Sequence, residues 1–192
     1  MKSFKQYFSE AKSKRIILMG GPGSGKSTYA EFITKEFNIP HIYPGDMLRK
    51  AAEKDPELKK ILDQGKFAPN EIVLKLIKDA VSKSPDGFVL DGYPRYMQQV
   101  KDMEKQGIGY DHVIFLDVSS EEIIRRLTAR GRKDDTPEII KDRIALYKKE
   151  TGPAVEYYRQ RPNFISVKAE GGEAKEIAKK IIDKIKWSIL TT

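Results

Sequence analysis

Short apolar blocks alternate along this chain with longer amphipathic stretches. Arg15-Ile-Ile-Leu-Met19 runs into Gly20 and Gly21. The block is too short for a helix and ends in glycines, so it reads as a fully buried strand. Residues 28–37 follow with Tyr29, Phe32, Ile33 and Phe37 at helical spacing. Residues 41–43 predict a second strand, closed by Pro44-Gly45. Helical periodicity then appears twice, over 47–54 and 71–81, with Gln64-Gly65-Lys66 and Pro69-Asn70 breaking it in between. Gly87-Phe-Val-Leu-Asp-Gly92 predicts a third buried strand and 98–106 a short helix. A fourth strand covers 112–118, and Ser119-Ser-Glu-Glu supplies an N-cap and an acidic first turn to a helix over 121–130. Helices are expected over 137–151 and 153–159, a fifth strand over 163–167, and a final helix over about 173–187 with Ala174, Ile177, Ile181 and Ile185 facing inward. Strands alternating with helices predict an α/β chain: a parallel sheet covered on both faces, with any ligand at the carboxyl ends of the strands.

Composition narrows the class. The chain has 192 residues, enough for one domain, with 39% hydrophobic and 33% charged residues. No apolar run approaches the roughly 20 residues of a membrane helix, and the N-terminus lacks a signal-peptide core. The expectation is a cytoplasmic protein without membrane partners. Cysteine is absent and the two histidines, His41 and His112, lie far apart. Disulfides, cysteine nucleophiles and a thiolate zinc site are thereby excluded. The net charge is +8, and half of it sits on residues 1–15, where Phe4, Tyr7 and Phe8 share one face if that arm is helical. Residues 1–13 read as a basic extension, either a docking segment for an acidic partner or a leader packed on the domain. A basic balance permits nucleic-acid binding without arguing for it, since any phosphate ligand asks for the same charges.

The chemistry lies in the loops after strands one and three. Gly20-Gly-Pro-Gly-Ser-Gly-Lys-Ser27 satisfies G-x-x-x-x-G-K-[ST] between a buried strand and a helix. Its glycines let backbone N–H groups turn toward a phosphate, and the helix N-terminus adds about half a positive charge. Lys26 can reach the β- and γ-phosphates; Ser27 or Thr28 can ligate Mg²⁺. Asp91, ending an apolar strand, fits a magnesium-linked acid or a turn cap. Arg95 follows in Gly92-Tyr-Pro-Arg95 and would emerge beside the phosphates. Arg126 and Arg130 are four apart on one helix face, where like charges cost stability unless an anion lies between them.

Three segments together resemble the adenylate kinase family of nucleoside monophosphate kinases: residues 20–26, Gly-Asp-Met-Leu-Arg (45–49) and Asp-Gly-Tyr-Pro-Arg (91–95). A fourth, Arg132-Lys-Asp-Asp135 with Arg143 and Tyr147, is similar to that family's lid-closing segment. The similarity covers about residues 14–187. It implies a P-loop three-layer sandwich, with five parallel strands ordered 2-3-1-4-5, in one domain over 14–192. It also implies a helical monophosphate-binding insert at about 44–74, a short lid at about 131–141, and a monomer. The activity implied is reversible phosphoryl transfer from Mg-ATP to AMP, giving two ADP. Carried over residue by residue, Gly21, Gly23, Ser24, Gly25, Lys26, Ser27 and Thr28 hold the ATP phosphates. Arg126 stacks on the ATP base, Arg130 contacts its phosphates, and Glu173 offers a backbone contact to that base. Arg49 and Arg95 grip the acceptor phosphate, while Arg132 and Arg143 close over the transferring group. Asp134 and Asp135 orient those arginines. Pro44, Gly45, Lys66, Phe67, Ala68 and Gly92 line the acceptor pocket. Lys26, Arg95, Arg130, Arg132 and Arg143 would carry catalysis, and Ser27, Thr28 and Asp91 the metal.

Gln99 favours AMP. In the family a glutamine four residues past this arginine reads the edge of adenine, where the UMP/CMP branch has asparagine. This chain also departs from the family pattern. Tyr43-Pro44 stands where a hydroxyl residue is common, and Pro44 offers neither hydroxyl nor N–H. Ser27 replaces a common glycine, and only Gly131 separates Arg130 from Arg132. The competing readings are a UMP or CMP kinase of the same fold, a nucleic-acid-dependent ATPase, and a nucleotide-binding protein without turnover. The grouping of arginines about the phosphate loop counts against the second, and the intact Lys26 and Asp91 against the third.

Overall fold

The computed structural model describes residues 14–132 and 135–191, without the side chains of the last three. The basic arm of residues 1–13 and Asp134 lie outside the described residues. Five parallel strands form one sheet: β1 (Lys14–Gly20), β2 (His41–Ile42), β3 (Gly87–Asp91), β4 (His112–Asp117) and β5 (Phe164–Lys168). Their order is β2-β3-β1-β4-β5. β1 pairs with β3 from Lys14↔Gly87 to Leu18↔Asp91, and with β4 from Ile16↔His112 to Gly20↔Leu116. That register brings the glycine loop after β1 and the Asp91 end of β3 to the same sheet edge.

Alternate strand residues face opposite layers. Ile17, Met19, Leu90 and Val113 pack with Val100, Met103 and Tyr158, from α5 (Met97–Lys105) and α8 (Gly152–Arg159). Ile16, Leu18, Val89 and Ile114 pack with Tyr29, Ile33, Ile181 and Ile185, from α1 (Lys26–Phe37) and α9 (Ala174–Thr191). Each fully buried aliphatic side chain contributes about 1.5–3 kcal/mol. The central strands are apolar on both faces, which a parallel sheet between two helical layers requires.

Three helices fill the stretch between β2 and β3: α2 (Pro44–Ala52), α3 (Pro56–Asp63) and α4 (Asn70–Ser82). The second is absent from the pattern expected of the sequence. It has one buried residue, Leu58, and is started by Asp55, whose side chain accepts from Glu57 N at 3.1 Å and Leu58 N at 3.0 Å. On the other side, α6 (Ser120–Arg130) and α7 (Pro137–Leu146) close a small core of Ile123, Leu127, Ile140 and Ile144. The helix expected over 137–151 changes character at Tyr147–Thr151, a π-helical turn. There Gly152 N–H donates to Tyr147 O, five residues back. Pro153 has no N–H to continue the α pattern, which accounts for the wider turn. Two further expectations shift. Helix α9 starts at Ala174, which is exposed, with Ala178 in the buried place beside Ile177. Strand β2 stops at Ile42, which releases the Tyr43 side chain from the ladder.

Candidate active site

A cleft of about 890 Å³ opens at the carboxyl ends of β1 and β3. One wall is the glycine loop. Gly23 and Gly25 have φ of 71° and 90°, where a side chain is strained. A Cβ at Gly23 would also meet Leu127 at 2.9 Å. Helix α1 begins with no side-chain cap and no acid in its first turn, which leaves the positive end of its dipole uncompensated. Lys26 Nζ donates to Gly20 O at 2.9 Å and Gly21 O at 2.8 Å. Burial lowers its pKa to about 8, against the pull of Asp91 and with help from Arg95 and Arg130.

Ser27 Oγ donates to Asp91 Oδ2 at 2.7 Å, and His41 Nε2 lies 3.1 Å from the same oxygen. Asp91 is 1% exposed, and its Oδ1 has no hydrogen-bond partner. Thr28 is exposed on the cleft lining, so the structure brings Ser27 rather than Thr28 to the acid. The hydroxyl and the unsatisfied carboxylate oxygen are hard oxygen donors, a set that suits Mg²⁺. Among the described residues no group of three His, Cys, Asp or Glu side chains gathers to hold a metal. A cation here would take most of its ligands from phosphates and water. His41 was not expected at this place; its signal is the pairing of His41–Ile42 with Val89–Leu90, visible only once β2 is placed beside β3.

The opposite wall carries the arginines. Arg130 Nε and Nη2 donate to the two oxygens of Asp135 at 2.7 and 2.6 Å, and Arg143 Nη1 donates to Oδ1 at 3.2 Å. The Asp135 carboxylate is fully buried, and the Arg130 fork holds its pKa below the usual carboxylate range. Arg126 donates to Glu122 Oε1 at 2.7 Å, Ala169 O at 2.8 Å and Ser24 O at 3.3 Å. With its edge engaged, its flat face is what remains to offer. Glu122, bonded to Arg125 and Arg126, is held down to about 2. The repulsion expected between Arg126 and Arg130 is therefore met by a separate carboxylate for each, not by an anion lying between them.

At the insert side, Arg95 Nε donates to Gly92 O at 2.9 Å, and Arg95 N–H donates to Gln99 Oε1 at 2.8 Å. Gln99 is 3% exposed. Its oxygen accepts from a backbone donor and its NH₂ donates toward the Tyr96 hydroxyl, which leaves the second amide hydrogen to meet a ligand's acceptor. Pro44, Gly45, Arg49, Lys66, Phe67, Ala68, Gly92, Arg95, Gln99, Arg126, Arg130, Arg132 and Arg143 all line the cleft, as do Gly23, Ser24, Gly25, Lys26, Ser27, Thr28 and Asp91.

Two expected residues do not line it. Gly21 is buried beneath the loop, where its carbonyl accepts from Lys26. Glu173 is exposed at the start of α9, flanked by the lining residues Gly172 and Ala174. The short connection from β5 to α9 places its neighbours, but not Glu173, on the cleft lining. Tyr43 and Thr151 line the cleft without having been expected there. Tyr147 also lines it, with its hydroxyl pushed up to about 12 by burial.

A glycine phosphate loop on a parallel sheet edge, facing an arginine wall across one cleft, defines a P-loop phosphotransferase. The adenylate kinase family model matches residues 18–163. The chain is 38% identical over 173 residues to an adenylate kinase of Oenococcus oeni, covering 83% of this chain and 91% of that one. It is 41% identical over 155 residues to one from Mycolicibacterium smegmatis, covering 76% and 86%. It is 34% identical over 166 residues to adenylate kinase 1 of a Nostoc species, covering 81% and 90%. The chain belongs to the adenylate kinase family.

Proposed function

We propose that the chain transfers the terminal phosphoryl group of Mg-ATP to AMP, reversibly, yielding two ADP. The observation that carries this reading is the meeting, in one cleft, of Lys26 on the phosphate loop with Arg49 and Arg95 on the acceptor side. An oxygen of the AMP phosphate attacks the γ-phosphorus, the new P–O bond forms, and the bond to the β–γ bridging oxygen breaks. The attacking phosphate is already anionic, so no strong base is needed. Catalysis reduces to alignment and charge stabilisation.

In this reading Lys26 and the loop N–H groups from Gly23 to Thr28 hold the donor phosphates. The face of Arg126 takes the donor base. Arg49 and Arg95 hold the acceptor phosphate, and Arg130, Arg132 and Arg143 gather the charge that develops between the two. Ser27 and, through coordinated water, Asp91 would hold Mg²⁺, which neutralises phosphate charge and orients the oxygens when bound. The Gln99 NH₂ suits an acceptor on the base, such as N1 of adenine, and opposes the N3–H of uracil. Residues 44–74 act as the acceptor insert and 131–141 as a lid whose closure keeps water from the γ-phosphate.

The test is ADP formation from ATP–Mg²⁺ with AMP, UMP, CMP, GMP and dTMP in parallel. AMP is expected to give kcat/KM at least about tenfold above every other acceptor, as for a site that loses a buried hydrogen bond. An equal or better rate with a pyrimidine monophosphate overturns the assignment of the acceptor.

A further inference from the structure

Both acceptor arginines lie over aromatic rings. The Arg49 guanidinium carbon is 5.3 Å from the centroid of Tyr43, and that of Arg95 is 5.6 Å from the centroid of Phe67. Both fall inside the roughly 6 Å range of a cation–π contact. Each ring is backed by another. Tyr43 stacks on His41 with centroids 5.8 Å apart and planes 9° from parallel, and His41 is tied to Asp91. Phe67 stacks on Tyr96 at 5.5 Å and 24°. Tyr43 also has a fitted seat: a Cβ at Gly45 would come within 2.8–3.0 Å of three atoms of the tyrosine side chain. The ring occupies space that only a glycine leaves open.

We propose that Tyr43 and Phe67 are positioning residues that hold Arg49 and Arg95 by their guanidinium faces, setting their N–H edges toward the acceptor phosphate before it binds. This rests on the acceptor being a nucleoside monophosphate held by those two arginines. A guanidinium carries all five N–H donors in its plane and none on its face. A ring beneath the face therefore restrains the side chain without using a donor that a phosphate needs; at Arg49 the Tyr43 hydroxyl takes one in addition. A carboxylate partner does the reverse: Asp46 occupies Arg49 Nη2, though only at 3.4 Å. Arginine also gives up rotamer freedom on binding, and a support that selects the rotamer beforehand lowers that cost. Burial would lower the Arg49 pKa, but the Tyr43 hydroxyl and Asp46 outweigh it and the net shift is upward. The hydroxyl thus has its own connection to Arg49, and the experiment must separate it from the ring.

Four full-length variants do so: Tyr43→Ser, Tyr43→Phe, Phe67→Leu and the pair Tyr43→Ser/Phe67→Leu. Initial rates are measured with AMP varied at saturating ATP and with ATP varied at saturating AMP, beside the melting temperature. Tyr43→Ser and Phe67→Leu should each raise KM for AMP about threefold, and the pair about tenfold, while KM for ATP stays within twofold. Tyr43→Phe, which keeps the ring, should stay within twofold of wild type. In an Arg49→Lys background Tyr43→Ser should add nothing further. Three results overturn the proposal: KM for AMP unchanged in the ring-deleted variants, KM for both nucleotides rising together with a fall in melting temperature, or Tyr43→Phe as impaired as Tyr43→Ser. A wild-type enzyme that makes no ADP from ATP with any monophosphate overturns the reaction reading itself, and is told apart from these because it precedes any comparison of variants.

Discussion

At the residue scale, Lys26 is the most informative side chain. Its ammonium is buried among loop carbonyls, and that burial, with the positive charges of Arg95 and Arg130 nearby, drops its pKa to about 8. A triphosphate placed beside it would restore the charge and raise that pKa. Binding above pH 8 must therefore take up a proton. The sign follows from the lysine alone: below about pH 8 the side chain is charged in both states and ATP affinity is flat, and above it affinity falls as the free protein loses the proton that the complex keeps. Calorimetric titrations at pH 9 in two buffers of different ionisation enthalpy should show proton uptake by wild type and none by Lys26→Met. The variant should also lose about a hundredfold or more in kcat with its circular dichroism unchanged. The loop lysine, Asp91 and Arg95 were legible in the sequence because a phosphate loop and the end of an apolar strand place them, whereas Arg49, Arg132 and Arg143 were implied only by the resemblance to the family. His41 and Tyr43 were not. Neither belongs to a spacing pattern: His41 meets Asp91 only through the pairing of β2 with β3, and Tyr43 reaches the cleft only because β2 ends at Ile42.

At the scale of elements, the connection between α6 and α7, which we propose as a lid, turns on Asp135, which joins Arg130 at the end of α6 to Arg143 within α7. Replacing it with asparagine leaves two arginines without their carboxylate and should cost about 1–3 kcal/mol. The pH dependence has a definite sign. The folded carboxylate titrates below its unfolded value, so its contribution is complete above the ordinary carboxylate range of about pH 4 and is lost as pH falls through the lowered value. Urea unfolding should therefore show wild type more stable than Asp135→Asn at pH 7, with the gap narrowing as pH falls below the ordinary carboxylate range of about 4; a gap independent of pH would refute the role. The two elements that the sequence pattern misplaced have physical explanations. Helix α3 buries only Leu58, so its apolar stripe is too thin to read, although Asp55-Pro56 is a start signal. The turn at 147–151 keeps helical periodicity in its sequence, and only the missing N–H of Pro153 distinguishes it from a plain helix.

At the scale of the whole molecule, strand order does most of the work. Placing β1 between β3 and β4 puts the glycine loop, Asp91 and the start of α6 around one opening. The helices between β2 and β3 then face α6 and α7 across it. The alternation of strands and helices in the sequence was enough to anticipate a parallel sheet with its ligand at the carboxyl ends of the strands; the strand order was implied only by the resemblance of the motifs to the family. The reach of each arginine was not, since it depends on the carboxylates, carbonyls and rings that hold it. The central claim is that donor and acceptor phosphates meet end to end in this cleft. Its most direct test is titration with two adenosines joined by an oligophosphate bridge, followed by displacement with ATP and with AMP. The account predicts one molecule bound per chain, displaced competitively by either nucleotide and weakened by both Lys26→Met and Arg95→Ala. Two molecules bound per chain, or displacement by only one of the nucleotides, would contradict it.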